Sequence, residues 1–375
     1  MPDWWIYQGT GTPPPGGFDL ASELPPPPPW RAFRGEPLQP PPPDDAEQLE
    51  RRLGAPGSPS GIDEAEIDAV NAALYLRRPL LVLGRPGVGK STLAYKISRE
   101  LGLGRVLRWP IGSRSVLRAG LYDYDAIGRA QDVAWREGER RASAADRQER
   151  RTDAREPKGD SREPKGDSRG DAPASPDPAS IGDYIRLGPL GTALLPHAAP
   201  RVLLVDELDK SDEDLPNDLL DVFEEGVFTV PELLRLAGRA PQVSVHTDDP
   251  ERRATITRGR VECNAFPLVI ITSNGEREFP PAFLRRCLRF ELAEPSPERL
   301  ADMIAGHLGR TDAQEARELL ARFLEQRSVT RDMSGDQLLS AVYLVTSGRL
   351  PVDGSLDRVL ELLWRTLGTS GPVPA

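Results

Sequence analysis

Eight consecutive residues have the types and spacing of a phosphate cradle: Gly84, Arg85, Pro86, Gly87, Val88, Gly89, Lys90 and Ser91. Glycines at 84, 87 and 89 let the backbone turn tightly and bring its N–H groups onto phosphate oxygens with no Cβ in the way. Lys90 can reach the β- and γ-phosphates, and the Ser91 hydroxyl can ligate Mg²⁺. Arg85, Pro86, Val88 and Thr92 fill the rest of the loop and the turn beyond it, and are assigned with it to nucleotide binding. The pattern means phosphate binding only between a strand and a helix N-terminus. Leu80-Leu-Val-Leu83 is a short apolar run of strand type. Thr92 to Ile97 reads as a helix, whose positive dipole end would face the ligand.

A second group of residues sits at predicted strand ends. Arg201-Val-Leu-Leu-Val205 is the strongest strand signal in the chain, and it ends in Asp206-Glu207. Ligands bind at the C-terminal edge of parallel sheets. An aspartate there can hold Mg²⁺, and the next carboxylate can orient and deprotonate an attacking water. Asn274 follows the apolar run Leu268–Ile271, and its amide can donate and accept at once, as positioning a water requires. Arg285 and Arg286 end a short helix begun by prolines. They suit a trans-acting finger that stabilises charge on a γ-phosphate held by a neighbouring subunit, in which case the active unit is a closed oligomer.

The surrounding elements must carry these groups. Asp63 caps a helix whose Ile67, Val70 and Leu74 share a face, and Pro79 closes it ahead of the Leu80 strand. Val106–Trp109 is a second strand. Val243–Thr247 and Ala254–Thr257 suggest a hairpin. Beyond Pro297 every pattern is helical, with Leu300, Met303, Ile304 and Leu308 on one face. The predicted division is a Pro- and aromatic-rich extended arm over 1–58, an α/β nucleotide-binding domain over 59–293, and a helical lid over 294–370. The arm is too rich in proline to form a helix. Its Trp4, Trp5, Tyr7, Trp30 and Phe33 leave two readings open, a disordered tail or an arm that docks on this chain or a partner. Residues about 137–178 are charged, nearly free of apolar side chains, and predicted to lack order. They contain the tandem repeat Arg155–Ser161 and Arg162–Ser168.

The chain has 375 residues and a net charge of −10, which disfavours nucleic acid and anionic membrane as partners. Cys263 and Cys287 have no metal spacing and read as reduced structural thiols. No apolar run approaches a membrane span and the start has no signal-peptide pattern, so the cytoplasm is the expected location.

Gly84–Ser91 resembles the phosphate loop of AAA+ ATPases. Val205-Asp-Glu-Leu-Asp-Lys210 and Thr272–Arg286 are similar to the MoxR branch of that superfamily, and the likeness runs over about residues 61–370. The resemblance implies an α/β fold with a five-stranded parallel sheet and an all-α lid, ATP and Mg²⁺ as cofactors, and a ring, expected to be a hexamer. It implies Walker A at Lys90 and Ser91, Walker B at Asp206 and Glu207, sensor 1 at Asn274, and a finger at Arg285 or Arg286. A lid sensor arginine is not clearly matched, and Arg331 is the weak candidate. The arm looks like that of MoxR-type ATPases from multi-gene bacterial systems with von Willebrand A-type partners. The expected function is ATP-driven remodelling or activation of a partner protein. The alternatives are a nucleotide-dependent assembly switch with slow turnover and, less favoured, a nucleic-acid motor.

Overall fold

The computed structural model of the protein describes residues 2–14, 18–56, 63–153, 178–308, 313–330, 333–346 and 355–364. Helices α1 (Leu20–Glu23), α2 (Ala46–Leu53) and α3 (Glu64–Leu76) precede strand β1 (Leu80–Leu83). The chain then passes through the glycine-rich loop into α4 (Lys90–Leu101), β2 (Leu107–Pro110) and α5 (Leu117–Leu121). Next come β3 (Tyr122–Tyr124), α6 (Ala126–Asp153), β4 (Ile185–Leu187), α7 (Pro189–Ala193), β5 (Val202–Asp206) and α8 (Asp214–Glu225). They are followed by β6 (Val227–Thr229), α9 (Pro231–Leu234), β7 (Gln242–His246), β8 (Arg253–Thr257) and β9 (Arg260–Glu262). Strand β10 (Leu268–Ser273), α10 (Pro281–Arg286) and β11 (Leu288–Glu291) lead to helices α11 (Pro297–Leu308), α12 (Ala313–Thr330), α13 (Gly335–Thr346) and α14 (Ser355–Trp364). No helix among the described residues is long and apolar enough to cross a membrane.

The chain divides into two compact units. The first holds residues 1–121, 189–228 and 261–375. Its centre is a five-stranded sheet in the order β11-β1-β10-β5-β2, parallel throughout. Strands β5 and β10 are buried along their whole length. That is why they read as continuous apolar runs and not as alternating ones. Helices α3 and α4 pack on this sheet through Ile67, Val70, Leu74, Leu93, Ile97 and Leu101. The C-terminal helices carry a separate apolar cluster of Leu300, Ile304, Leu319, Phe323, Leu338, Val342 and Leu360. The fold class expected from the sequence is therefore the one observed, an α/β core on a parallel sheet followed by an all-α segment.

The arm lies on its own chain. Tyr7 and Leu20 are members of the sheet's core cluster. The Asn71 side chain pairs with the arm backbone, accepting from the Ile6 and Tyr7 amides at 2.9 and 3.0 Å and donating to the Tyr7 carbonyl at 2.7 Å. The carboxylate of Glu100 accepts the Gln8 and Gly11 amides at 2.5 and 2.7 Å. Further along, Phe33 stacks on Phe266, and the Gly35 amide donates to the Cys263 carbonyl. The expectation that the arm holds no helix fails at the single turn α1, capped by Asp19, and at α2. Residues 46–53 are free of proline, and Asp45 caps them by accepting the Gln48 amide.

The second unit holds residues 122–188 and 229–260. In it β3 pairs antiparallel with β4, β4 runs parallel to β7, and β7–β8 is the expected hairpin, with Val243 opposite Ile256. Helix α6 continues through Asp153, well into the stretch predicted to lack order. Its alanines, arginines, glutamates and glutamines are strong helix formers that need no core, and Glu137–Arg141 adds an i,i+4 ion pair. The tandem repeat lies outside the described residues.

Candidate functional site

The parallel register builds the site. Val82 of β1 lies opposite Thr272 of β10, and Ile271 lies opposite Val205 of β5. The three strands therefore end together, and their first polar residues fall at one edge of the sheet. There the chain leaves β1 through a loop whose Gly84, Gly87 and Gly89 have φ of +153°, +77° and +97°, values that side chains other than glycine rarely tolerate.

Helix α4 begins at Lys90, whose ammonium is buried among oxygens. It donates to the Gly84 carbonyl at 2.7 Å, the Arg85 carbonyl at 2.8 Å and Asn274 Oδ1 at 2.7 Å. All three of its N–H groups are thus engaged. Burial lowers the Lys90 pKa below the usual lysine value, against the pull of the Asp209, Glu207 and Asp206 carboxylates.

Asp206 is fully subscribed. Its Oδ1 accepts the Ser91 hydroxyl at 2.5 Å and the Thr272 hydroxyl at 2.9 Å. Its Oδ2 accepts Arg108 Nε at 3.0 Å and Nη2 at 2.7 Å. Burial pushes its pKa up, but the hydrogen bonds from Ser91, Arg108 and Thr272 outweigh that, and the carboxyl sits below the usual aspartate value.

Glu207 has φ +64° and ψ +52°, a left-handed conformation uncommon outside glycine. This bend takes the chain off the strand immediately after Asp206. The Glu207 amide donates to Thr272 Oγ1 at 2.8 Å, and its half-exposed carboxylate accepts Lys210 Nζ at 2.6 Å. Asp209 is buried. Its Oδ2 accepts the amides of Asn274 and Glu276 at 2.8 and 3.1 Å, which fixes the turn presenting Asn274. Its Oδ1 is buried without a hydrogen-bond partner among the described residues.

The structure thus brings Lys90, Ser91, Asp206 and Asn274 into direct contact around the loop at 84–89, with Glu207 next in the chain. Arg285 and Arg286 lie apart, on α10. Arg286 is ion-paired to Glu224 of α8, Arg285 is exposed, and neither side chain bonds to the loop. Arg331 lies outside the described residues. The C-terminal helices approach the loop just beyond it, where the Gly335 amide faces the Gly87 carbonyl at 3.5 Å. Glu294 bridges Arg85 of the loop, at 3.2 Å, and Arg327 of α12, at 2.8 Å.

Sequence reasoning gave no role to Arg108, Thr272, Asp209 or Lys210. Asp209 and Lys210 stand inside the motif after β5, and Thr272 inside the one after β10, so their spacing was available as a signal. Arg108 carried none. It alternates with buried Leu107 and Trp109 on an edge strand and reads as an ordinary solvent-facing charge.

A glycine-cornered loop between β1 and α4, on a parallel sheet that delivers acidic and amide side chains beside its lysine, gives an α/β fold with the arrangement that phosphate binding requires. No family model matches the chain, and no curated protein matches it. Two solved structures similar to it are PCH-2 from C. elegans and NtrX from Brucella abortus in complex with ADP. Each is 14% identical at a TM-score of 0.33, covering 80% and 82% of this chain and 63% and 56% of theirs respectively. The chain therefore spans less than two thirds of the length of either.

Proposed function

We propose that the chain is an ATPase of the AAA+ superfamily, of the MoxR-like branch, which binds ATP with Mg²⁺ and uses its hydrolysis to remodel or activate a partner protein. The observation that carries this reading is the meeting of Lys90, Ser91, Asp206 and Asn274 at the open edge of the parallel sheet, beside the glycine-cornered loop. The donor set fits the cofactors. A hydroxyl and a carboxylate 2.5 Å apart are hard oxygen ligands of the kind Mg²⁺ takes alongside phosphate oxygens and water. The loop glycines leave backbone amides free of Cβ, as a polyphosphate requires.

In this reading Lys90 exchanges the carbonyls of Gly84 and Arg85 for β- and γ-phosphate oxygens. Ser91 and Asp206 would hold the Mg²⁺, which would supply neutralisation of the phosphate charge. Glu207, freed from Lys210, orients the attacking water and takes its proton. Asn274, held through its backbone amide by Asp209, positions that water. Arg285 is the better placed of the two finger candidates, since Arg286 is held in its own chain by Glu224. A finger acting in trans implies a ring of copies, with a hexamer expected from the resemblance. A von Willebrand A-type protein is the partner class proposed on the likeness of the arm.

The test is steady-state phosphate release by the purified chain and by Lys90→Ala. Hydrolysis by the wild type and its loss in the variant are expected, and equal release from both overturns the proposal. Glu207→Gln is expected to keep ATP binding while hydrolysis falls about a hundredfold or more. One observation favours a second reading, an ATP-dependent assembly switch with slow turnover: the ion pair to Lys210 ties up the proposed base. ATP-dependent assembly in size-exclusion chromatography without appreciable phosphate release would select it.

A further inference from the structure

Among the donors to Asp206, Arg108 stands out. A carboxylate offers about four lone-pair sites, and here Ser91, Thr272 and the two nitrogens of Arg108 fill them. A cation, or a water in its shell, has no site left until one donor leaves. Ser91 need not leave, because its hydroxyl oxygen can turn to the same cation. Thr272 has nowhere to go, since it is fully buried on β10 and also accepts the Glu207 amide. Arg108 differs in two respects. It carries a full positive charge, which opposes a divalent ion, and its side chain is 42% exposed, with a way out to solvent.

The sheet explains how it comes to be there. Arg108 lies opposite Leu204 and Asp206 opposite Pro110. Leu204 and Asp206 are two residues apart on one strand, so they share a face, and so do Arg108 and Pro110. Arg108 is thus the diagonal neighbour of Asp206 on that face. Its long side chain runs along the sheet to the strand end, where Nε and Nη2 converge on the single oxygen Oδ2 in two charge-assisted bonds.

We propose that Arg108 is the resident counter-cation of Asp206, a positioning residue that keeps the carboxylate oriented before loading and must be displaced by the divalent ion. This rests on the nucleotide-binding reading above and deepens it, because it makes the chain's affinity for magnesium a balance between two cations competing for one oxygen. Arg108 and magnesium are then antagonists, and the antagonism is reciprocal, as any linkage between binding events must be. Removing the guanidinium should enlarge the tightening of nucleotide binding that magnesium gives. A residue that merely supported the strand would, when removed, weaken binding with and without magnesium alike.

The experiment measures the dissociation constant of a fluorescent ATP analogue in EDTA and in millimolar MgCl₂, for the wild type and for Arg108→Met, which keeps the length of the side chain and drops its charge. The ratio of the two constants is the readout. We expect the ratio to be about tenfold larger in the variant, a coupling within the usual range for interacting sites. We also expect the MgCl₂ concentration that gives half the change to fall by a similar factor. Arg108→Lys keeps the charge and gives up the two-point grip, so it should lie between them; it decides the matter if Arg108→Met does not fold by circular dichroism. A ratio in the variants equal to or smaller than in the wild type overturns the proposal. Failure of the folded wild type to bind the analogue under either condition overturns the nucleotide-binding reading itself, and this inference with it.

Discussion

Arg31 offers the strongest test of the idea that the N-terminal arm is part of the fold. Its guanidinium is buried and has no carboxylate partner among the described residues. Instead it donates Nε and Nη2 to the Arg77 carbonyl, at 3.0 and 2.6 Å, and Nη1 to the carbonyls of Phe223 and Glu224, at 2.6 and 3.1 Å. Those acceptors have a common origin. Arg77 is the C-cap of α3, and Phe223 and Glu224 lie in the last turn of α8. Such carbonyls have no partner within their helix and sit at the negative end of its dipole. One side chain of the arm therefore satisfies two helix C-termini. Its guanidinium also lies 4.3 Å from the centre of the Phe266 ring. Truncation to alanine strands three carbonyls, and a buried unsatisfied group costs about 1–3 kcal/mol. The lost cation–π contact adds about 1 kcal/mol. With partial rehydration the sum is about 4 kcal/mol, or about a thousandfold in the opening equilibrium of the arm. Native-state hydrogen exchange of the amides of Gly35 and Gln39, which are bonded to the Cys263 and Pro196 carbonyls, reads that opening directly. Arg31→Lys, which cannot span both helix ends, should lose about half of it. Exchange in Arg31→Ala within threefold of the wild type would refute the reasoning and make the arm an accessory.

Further outcomes follow from other sites. Gly87→Ala demands φ +77° of an alanine and puts its Cβ 2.3 Å from Ser334 Cβ. We expect weaker nucleotide binding and faster tryptic cleavage between α12 and α13, with the thermal midpoint of the sheet core little changed. Thr272→Val keeps the shape of the side chain but leaves the Glu207 amide without its acceptor and removes one donor to Asp206, a loss of about 1–3 kcal/mol, visible in urea unfolding. Burial pushes the Cys263 and Cys287 thiols up to about 12. The folded chain thus keeps protons that an unfolded thiol, with a pKa of about 8.5, releases. Their contribution to stability is complete below that value and is lost as pH rises toward 12. The urea midpoint should fall over that window, and less steeply in a variant with both cysteines changed to alanine. Neither thiol should react with iodoacetamide at pH 8 until the chain is unfolded.

The legible parts of the sequence were those where one residue type does one job. Apolar runs at 80–83, 202–205 and 268–271 can only be buried strands, and a glycine-rich turn after the first leaves few choices for the edge at which a ligand binds. The arm was only half legible. Its aromatics signalled docking, but the docking sites are Asn71, Glu100 and the free carbonyls of two helix ends, and nothing in their own neighbourhoods marks them as occupied. Helix α2 was hidden by the proline content around it, because composition averages over a window and eight proline-free residues with an aspartate cap suffice for a short helix. Arg108 was invisible for a different reason. Its role depends on a diagonal register between two strands almost a hundred residues apart.

Lys90, Arg108 and Lys210 each already hold an oxygen in the chain, and on the proposed nucleotide-binding reading this shared arrangement bears on how loading would proceed. Lys90 lies on two loop carbonyls and Asn274, Arg108 on Asp206, and Lys210 on Glu207. If these cations were unpaired, the free site would be a strong positive field in a partly buried place, costly to maintain and open to any anion. If the pairs were fully buried, exchange would require breaking them without water, at several kcal/mol each. The structure lies between these limits, with Lys90 buried and the side chains of Arg108 and Lys210 42% and 44% exposed. An exposed pair such as Lys210–Glu207 is worth only about 0–1 kcal/mol. The Arg108 guanidinium can reach solvent although its partner Asp206 is buried. On the proposed reading the ligand would therefore displace these two cations one at a time, with water as the intermediate partner. The buried step is left to Lys90, whose new partner is the most highly charged part of the ligand. On that reading the selectivity of loading resides at Lys90, and the ease of loading at the two half-exposed cations, Arg108 and Lys210.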